Sequence, residues 1–275
     1  MTSELLVLDS ITKLPPHSEN RVAYCASHAG KFCAELTLEK RLRAVILHDA
    51  GVGLDQAGIA ALKRLDLEHV PAAAIDHRSA RIGDGADGYR RGRVSYVNAS
   101  AARLGLYIGS TCEDALEILS RKAAARPLRL EPQLKPDEHR TILARSAGIR
   151  IVLVDSASLL DEEDEGQIVI CGSHGGLLGG HPDSAVRVNV GAILFNDANF
   201  GMDEAGISRL PSLDQRGIPA GCVSTWTAHI GDGQSSYSTG VVSALNACAL
   251  RKGARLGITA RQFAETMSSA LMPGK

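Results

Sequence analysis

The chain lacks the devices of several common protein classes. Its six cysteines (Cys25, Cys33, Cys112, Cys171, Cys222 and Cys248) form no C-x-x-C pair. A thiolate zinc knuckle and a thioredoxin-like redox motif are therefore not indicated, and reduced, mostly buried thiols are expected. Aromatic residues make up only 4% of the chain against 28 glycines, which favours close backbone approach at loops over stacking platforms. The net charge is −1, and basic clusters such as Arg90-Arg91-Gly92-Arg93 are short, so there is no field to draw in nucleic acid or an anionic membrane. No apolar run approaches the ~20 residues that cross a bilayer, and the opening "MTSELLVLDSITKL" has neither the basic end nor the long apolar stretch of a signal peptide. The expectation is a cytoplasmic protein with no nucleic-acid or membrane partner. No H-x-H or H-E-x-x-H spacing points to a metal.

What is present is an average globular composition, 44% hydrophobic and 22% charged over 275 residues, enough for one large core or two modest ones. The main feature is that the chain resembles itself. Asp9-Ser10 matches Asp155-Ser156, and Cys25-x-Ser27-His28 matches Cys171-x-Ser173-His174, both 146 residues apart. The second copy then gains two residues. At a separation of 148, "HDAGVGLDQAGI" (48–59) matches "NDANFGMDEAGI" (196–207), Pro71 matches Pro219, and "IGDG" at 82–85 matches "IGDG" at 230–233. Tyr89, Gly92, Ser95 and Asn98 match Tyr237, Gly240, Ser243 and Asn246. Preserved spacing from Asp9 to Asn98 points to a fused duplication, two domain-scale units arranged like a homodimer about a pseudo-twofold axis. The division expected is a first repeat over 1–125, a linker over 126–147 and a second repeat over 148–275. The linker contains the charged, proline-bearing "RPLRLEPQLKPDEHR" (126–140).

Each half reads as α/β. Short apolar runs ("LLVLD", "RVAYCAS", "AVILHD", "PAAAID") alternate with helical-period segments ("GKFCAELTLEKRL", "DQAGIAALKRLDLEH"). The runs are apolar on both faces, as strands of a mainly parallel sheet covered on both sides should be. "YVNASAARLG" and "CEDALEILSRKAA" predict further helices, which would place Ser95 and Asn98 on one helix. The second half repeats the pattern with "IRIVLVD", "QIVICGS", "GAILFND", "AGCVST", "NACALRKG" and "ARQFAETM". Ligands of parallel sheets sit beyond the carboxyl ends of the strands. Asp9-Ser10, Ser27-His28 and Asp49 all fall where a strand is predicted to stop.

These rim residues are the candidates. In "CGSHGG", Ser173 offers a hydroxyl and His174 a proton carrier, while the backbone of Gly172, Gly175 and Gly176 could bind a carboxylate, a phosphate or a developing oxyanion at a helix start. The alternative is a tight turn with a capping serine and a backbone-bound histidine. Asp49 and Asp197 could orient a histidine, bind a metal or hold substrate. Asp55 and Asp203 precede the second helix of each half and read better as N-caps. Asp84 and Asp232 are glycine-flanked carboxylates in which binding competes with a turn role. Arg81, a bidentate clamp for a carboxylate, becomes the titratable His229 in the second copy, so the two rims cannot do identical chemistry.

Together these residues describe a hydrolase of a small carbonyl compound such as a non-peptide or cyclic amide or imide, needing no cofactor and compatible with a homo-oligomer. Ser173, His174, Asp197, Asp49 and His28 are its candidate catalytic groups. Gly172, Gly175, Gly176, Arg81, Asp84, Asp232 and His229 are its binding groups. They would form one composite site, with His174 and its loop from the second half and Asp49, Arg81 or Asp84 from either. Two alternatives stand beside it. One is a divalent-metal lyase or isomerase with His28 or His174 and the rim aspartates as ligands; the other is a non-catalytic binding protein.

Overall fold

The computed structural model describes residues 5–125, 137–143 and 149–271. Two compact units divide the chain. The first comprises Met1–Val52, Gln56–Asp137 and the tripeptide Gly201–Asp203; the second comprises Gly53–Asp55, Glu138–Phe200 and Glu204–Lys275.

The first unit is a five-stranded sheet in the order β1 (Leu6–Leu8), β2 (Val22–His28), β3 (Ala44–His48), β4 (Ala72–Ile75), β5 (Val94–Val97). β1 to β4 are parallel and β5 is antiparallel to β4. Side chains alternate across the sheet. Ala23, Cys25, Val45, Leu47, Ala72 and Ala74 pack against α1 (Lys31–Glu39) and α2 (Ala60–Leu67). Val22, Tyr24, Ile46, Ala73 and Ile75 pack on the other face, where α4 (Ala99–Arg103) and α5 (Cys112–Lys122) supply Ala101, Ala115, Leu116 and Leu119. Between β4 and β5 a short helix, α3 (Gly85–Arg91), places Gly88 directly against the ring of Tyr24.

The second unit repeats this order with β7 (Ile151–Val154), β8 (Ile168–His174), β9 (Ala192–Asn196), β10 (Ala220–Val223) and the antiparallel β11 (Val242–Leu245). Its helices are α6 (Arg209–Gln215), α7 (Gly233–Thr239), α8 (Ala247–Arg251) and α9 (Ala260–Leu271). The mainly parallel α/β class holds for both sheets, and the shared strand order is compatible with duplication.

Several expectations change. Part of the 126–147 linker is β6 (Arg140–Leu143), antiparallel to β7; residues 126–136 and 144–147 lie outside the described ones. Two charged or titratable side chains among its described residues have carboxylate partners. Arg140 grips buried Asp164 through two hydrogen bonds of 2.8 and 2.9 Å, and His139 bonds Asp155. "YVNASAARLG" is not one helix but the end of β5 continuing into α4, because Asn98 breaks it. The Asn98 side chain accepts from the N–H of Ala101, an N-cap, and from that of Ala72 on the neighbouring strand. Asn246 does the same with Ala249 and Ala220. No helix starts at "CGSHGG": residues 175–191 hold only a 3-10 turn at Pro182–Ser184. Buried Arg209 and part-buried Arg216 donate to the carbonyls of Gly176, Ala185 and Val186 in that loop, groups a helix would have satisfied internally. No helix among the described residues is long and apolar enough to cross a membrane.

Candidate active site

The repeated "DAGVG…DANFG" words encode a backbone feature. Six of the seven residues from Ala50 to Gln56 have positive φ, and so do six of the seven from Ala198 to Glu204. Left-handed backbone costs roughly 1–2 kcal/mol per non-glycine residue and rarely runs consecutively. The turn is held by its own hydrogen bonds. In the first unit Ala50 N–H donates to His48 Nδ1, Gly51 N–H to Asp49 Oδ1, and Val52 N–H to the Asp49 carbonyl. In the second, Ala198 N–H donates to Asn196 Oδ1, Asn199 N–H to Asp197 Oδ1, and Phe200 N–H to the Asp197 carbonyl. His48 and Asn196 are interchangeable here because each presents an acceptor to the turn and a donor to a distal carbonyl, Ala80 or Ala228. The identity of Asp49 and Asp197 is thus explained first by scaffold.

The two carboxylates differ in the residues that meet them from the end of the next strand. After β4 comes Asp76-His77, and His77 donates both its backbone N–H (2.9 Å) and its ring Nδ1–H (3.0 Å) to Asp49 Oδ1. Ser95, on β5 rather than on a helix, donates to Asp49 Oδ2 at 2.8 Å. In the second unit the position of His77 is taken by Thr225, whose N–H reaches Asp197 Oδ1, while Ser243 donates to Oδ2. The Thr225 hydroxyl is buried without a partner among the described residues. Burial pushes both carboxyls up. At Asp49 the His77 hydrogen bond, the His48 ring and the Gly51 N–H outweigh it and hold the pKa below the ordinary range. At Asp197 the Thr225 and Asn199 amides and the Ser243 hydroxyl do not, and the pKa stands above it.

The arrangement corrects the expected roles. Asp49 orients His77, not His28 or His174, and Asp197 binds no histidine among the described residues. Ser173 accepts the Ala157 N–H and does not pair with His174, whose Nδ1 accepts the Gly176 N–H. The Gly175 N–H goes to the Asn196 carbonyl, and Gly172 lies within β8, so none of the three glycines presents the expected oxyanion cradle at a helix start. His28 is part-buried beside His48, and burial pulls its pKa down to about 4, which keeps it neutral. Asp84 and Asp232 are the N-caps of α3 and α7, accepting from the N–H groups of Asp87 and Ser235. Asp55 and Asp203, expected as N-caps, instead accept from His229 and from Arg81 with Arg91. Arg81 and His229 are thereby engaged by carboxylates of the protein itself. All six cysteines are reduced and buried, with Cys171 pushed up to about 11 by burial.

Donor atoms of Asp49, Asp76 and His77 lie within 4.8 Å of one another, a set whose chemistry could hold a hard cation. This replaces the His28 or His174 sets expected. Each donor already has a partner: Asp49 carries four donors, His77 Nδ1 is one of them, and Arg78 forks both oxygens of Asp76 at 3.0 and 2.7 Å. A cation would have to displace these bonds. His77 and Asp76 are invisible to a reading that weights residues matching between the halves. Their signal is the mismatch "AIDHRSA" against "CVSTWTA". Comparison of the chain with protein-family models, with curated proteins and with solved structures gives no match.

Proposed function

We propose that the protein is an acid–base enzyme acting on a small carbonyl compound, a hydrolase of a non-peptide or cyclic amide or imide, with His77 as proton carrier. The carrying observation is the 3.0 Å contact of His77 Nδ1 with Asp49 Oδ1 at the carboxyl end of the parallel strands. An ionised carboxylate only accepts, so the ring proton sits on Nδ1 and Nε2 is the basic nitrogen. Nε2 takes a proton from water as the oxygen attacks the carbonyl carbon. It returns that proton to the leaving nitrogen as the C–N bond breaks. Asp49, fixed by Ser95 and Gly51, stabilises the imidazolium in between. The strained turn beside it supports the reading, because strain of this kind clusters at functional sites.

The test is turnover of a panel of small amides, lactams and cyclic imides. Wild type is expected to turn over at least one, His77→Gln and Asp49→Asn to lose about 10²-fold or more, and Ser173→Ala to retain activity. Turnover that survives in His77→Gln sinks the assignment. No turnover, with one compound retained unchanged through gel filtration, favours a binding protein. The Asp49, Asp76 and His77 cluster favours a second reading, a divalent-cation site; metal content that is near-stoichiometric in wild type and lost in His77→Gln would select it.

A further inference from the structure

We propose that Asp203 is a positioning residue for the His77–Asp49 pair, an inference that rests on the function proposed above. The tripeptide Gly201–Asp203 belongs to the first compact unit and lies against His77. Met202 N–H donates to the His77 carbonyl at 2.6 Å, and a β-carbon on left-handed Gly201 would stand 3.0 Å from that same oxygen. His77 is therefore held at its carbonyl by Met202 and at its amide and its ring by Asp49. The tripeptide is fastened at Asp203, where Oδ2 accepts Arg81 Nε at 3.0 Å and lies 2.8 Å from an Nη of both Arg81 and Arg91. Asp87 holds both arginines in turn, its Oδ1 at 2.8 Å from Arg91 Nε and its Oδ2 accepting the Arg81 backbone N–H at 2.8 Å.

The second unit supplies the comparison. There Leu54 N–H donates to the Thr225 carbonyl, and Asp55 pairs with His229 where Asp203 pairs with two arginines; Arg91 is matched by Thr239. Two permanent guanidinium charges fasten the strap that lies over the histidine. One titratable imidazole fastens the strap over the threonine. Exposed ion pairs taken singly contribute little, so the doubled latch is explained by what it aligns, a carbonyl that fixes the backbone from which the imidazole projects.

The experiment is a long-range ¹H–¹⁵N correlation on the full chain labelled at histidine, with the His77 signal assigned through His77→Gln. Wild type is expected to show His77 in a single Nδ1–H form. Asp203→Asn, and separately Arg81→Gln/Arg91→Gln, should convert it to a mixture of tautomers at unchanged circular dichroism, and Asp203→Glu should restore much of the single form. A His77 signal that stays in the Nδ1–H form in Asp203→Asn and in the double arginine variant, while Asp49→Asn abolishes it, overturns the positioning role. A signal indifferent to Asp49→Asn overturns the proposed function instead. No substrate enters the measurement, so the two failures are distinguishable.

Discussion

Tyr24 and Gly88 form a packing pair whose energetics can be worked from the structure. Tyr24 is fully buried on β2, its hydroxyl has no partner among the described residues, and the α-carbon of Gly88 presses on its ring. A methyl at Gly88 would fall 1.8 Å from Oη, 2.4 Å from Cζ and 2.6 Å from Cε1. Overpacking costs about 1–3 kcal/mol, and replacing a helical glycine by alanine returns about 1 kcal/mol, so Gly88→Ala should destabilise by ~0–2 kcal/mol. Tyr24→Phe removes an unsatisfied buried hydroxyl, a group that costs ~1–3 kcal/mol, and should be neutral or stabilising. The matched pair in the second unit is Ile170 and Ser236, smaller on the strand and larger on the helix. Tyr24→Ile alone should leave a cavity worth ~2–4 kcal/mol, and adding Gly88→Ser should recover ~1–2 kcal/mol of it. Urea unfolding monitored by far-ultraviolet circular dichroism is the assay, because the single tryptophan, Trp226, belongs to the second unit. Strictly additive losses in the Tyr24→Ile/Gly88→Ser cycle would refute the reasoning.

Two further perturbations test the same geometry. Burial first, and then the His48 ring, lower the folded pKa of His28 to about 4. Since the unfolded histidine titrates near 6.5, stability from this group is complete above that value and falls by about 3 kcal/mol as pH drops to 4. His28→Gln should flatten the urea midpoint over that range, and a midpoint that falls as steeply as in wild type contradicts the argument. Asn98 accepts from Ala72 and Ala101 and donates to the Val70 carbonyl at 2.8 Å. Asn98→Ala should therefore cost ~2–4 kcal/mol in chemical denaturation, more than the ~1 kcal/mol of a simple N-cap; a loss of 1 kcal/mol or less would reduce it to a cap.

The α/β class was legible because apolar runs such as "AVILHD" and "RVAYCAS" are bounded by polar strand ends, and the structure fills both sheet faces from them. Elements set by side-chain capping were harder to read. Ser95 and Asn98 looked like one helical turn, yet Asn98 ends a strand and starts a helix by bonding across both. The glycine-rich "GSHGGLLGG" suggested a helix start, but the carbonyls of its loop are met by Arg209 and Arg216, which lie far along the chain. The candidate site was half visible. Asp49 stood out because it recurs as Asp197, and it recurs because both hold a left-handed turn. Its chemical partner is the unmatched His77, which gains meaning only when the sheet brings the ends of β3 and β4 together.

The most direct test of the His77–Asp49 pairing needs no substrate: the pH titration of the side-chain carboxyl carbons of Asp49 and Asp197 by ¹³C NMR, in wild type and in His77→Thr. We expect Asp49 to titrate below the ordinary aspartate value and Asp197 above it, with Asp49 moving upward toward its counterpart when His77 becomes threonine. Asp49 and Asp197 titrating on the same side in wild type, or an Asp49 unmoved by His77→Thr, would contradict the pairing.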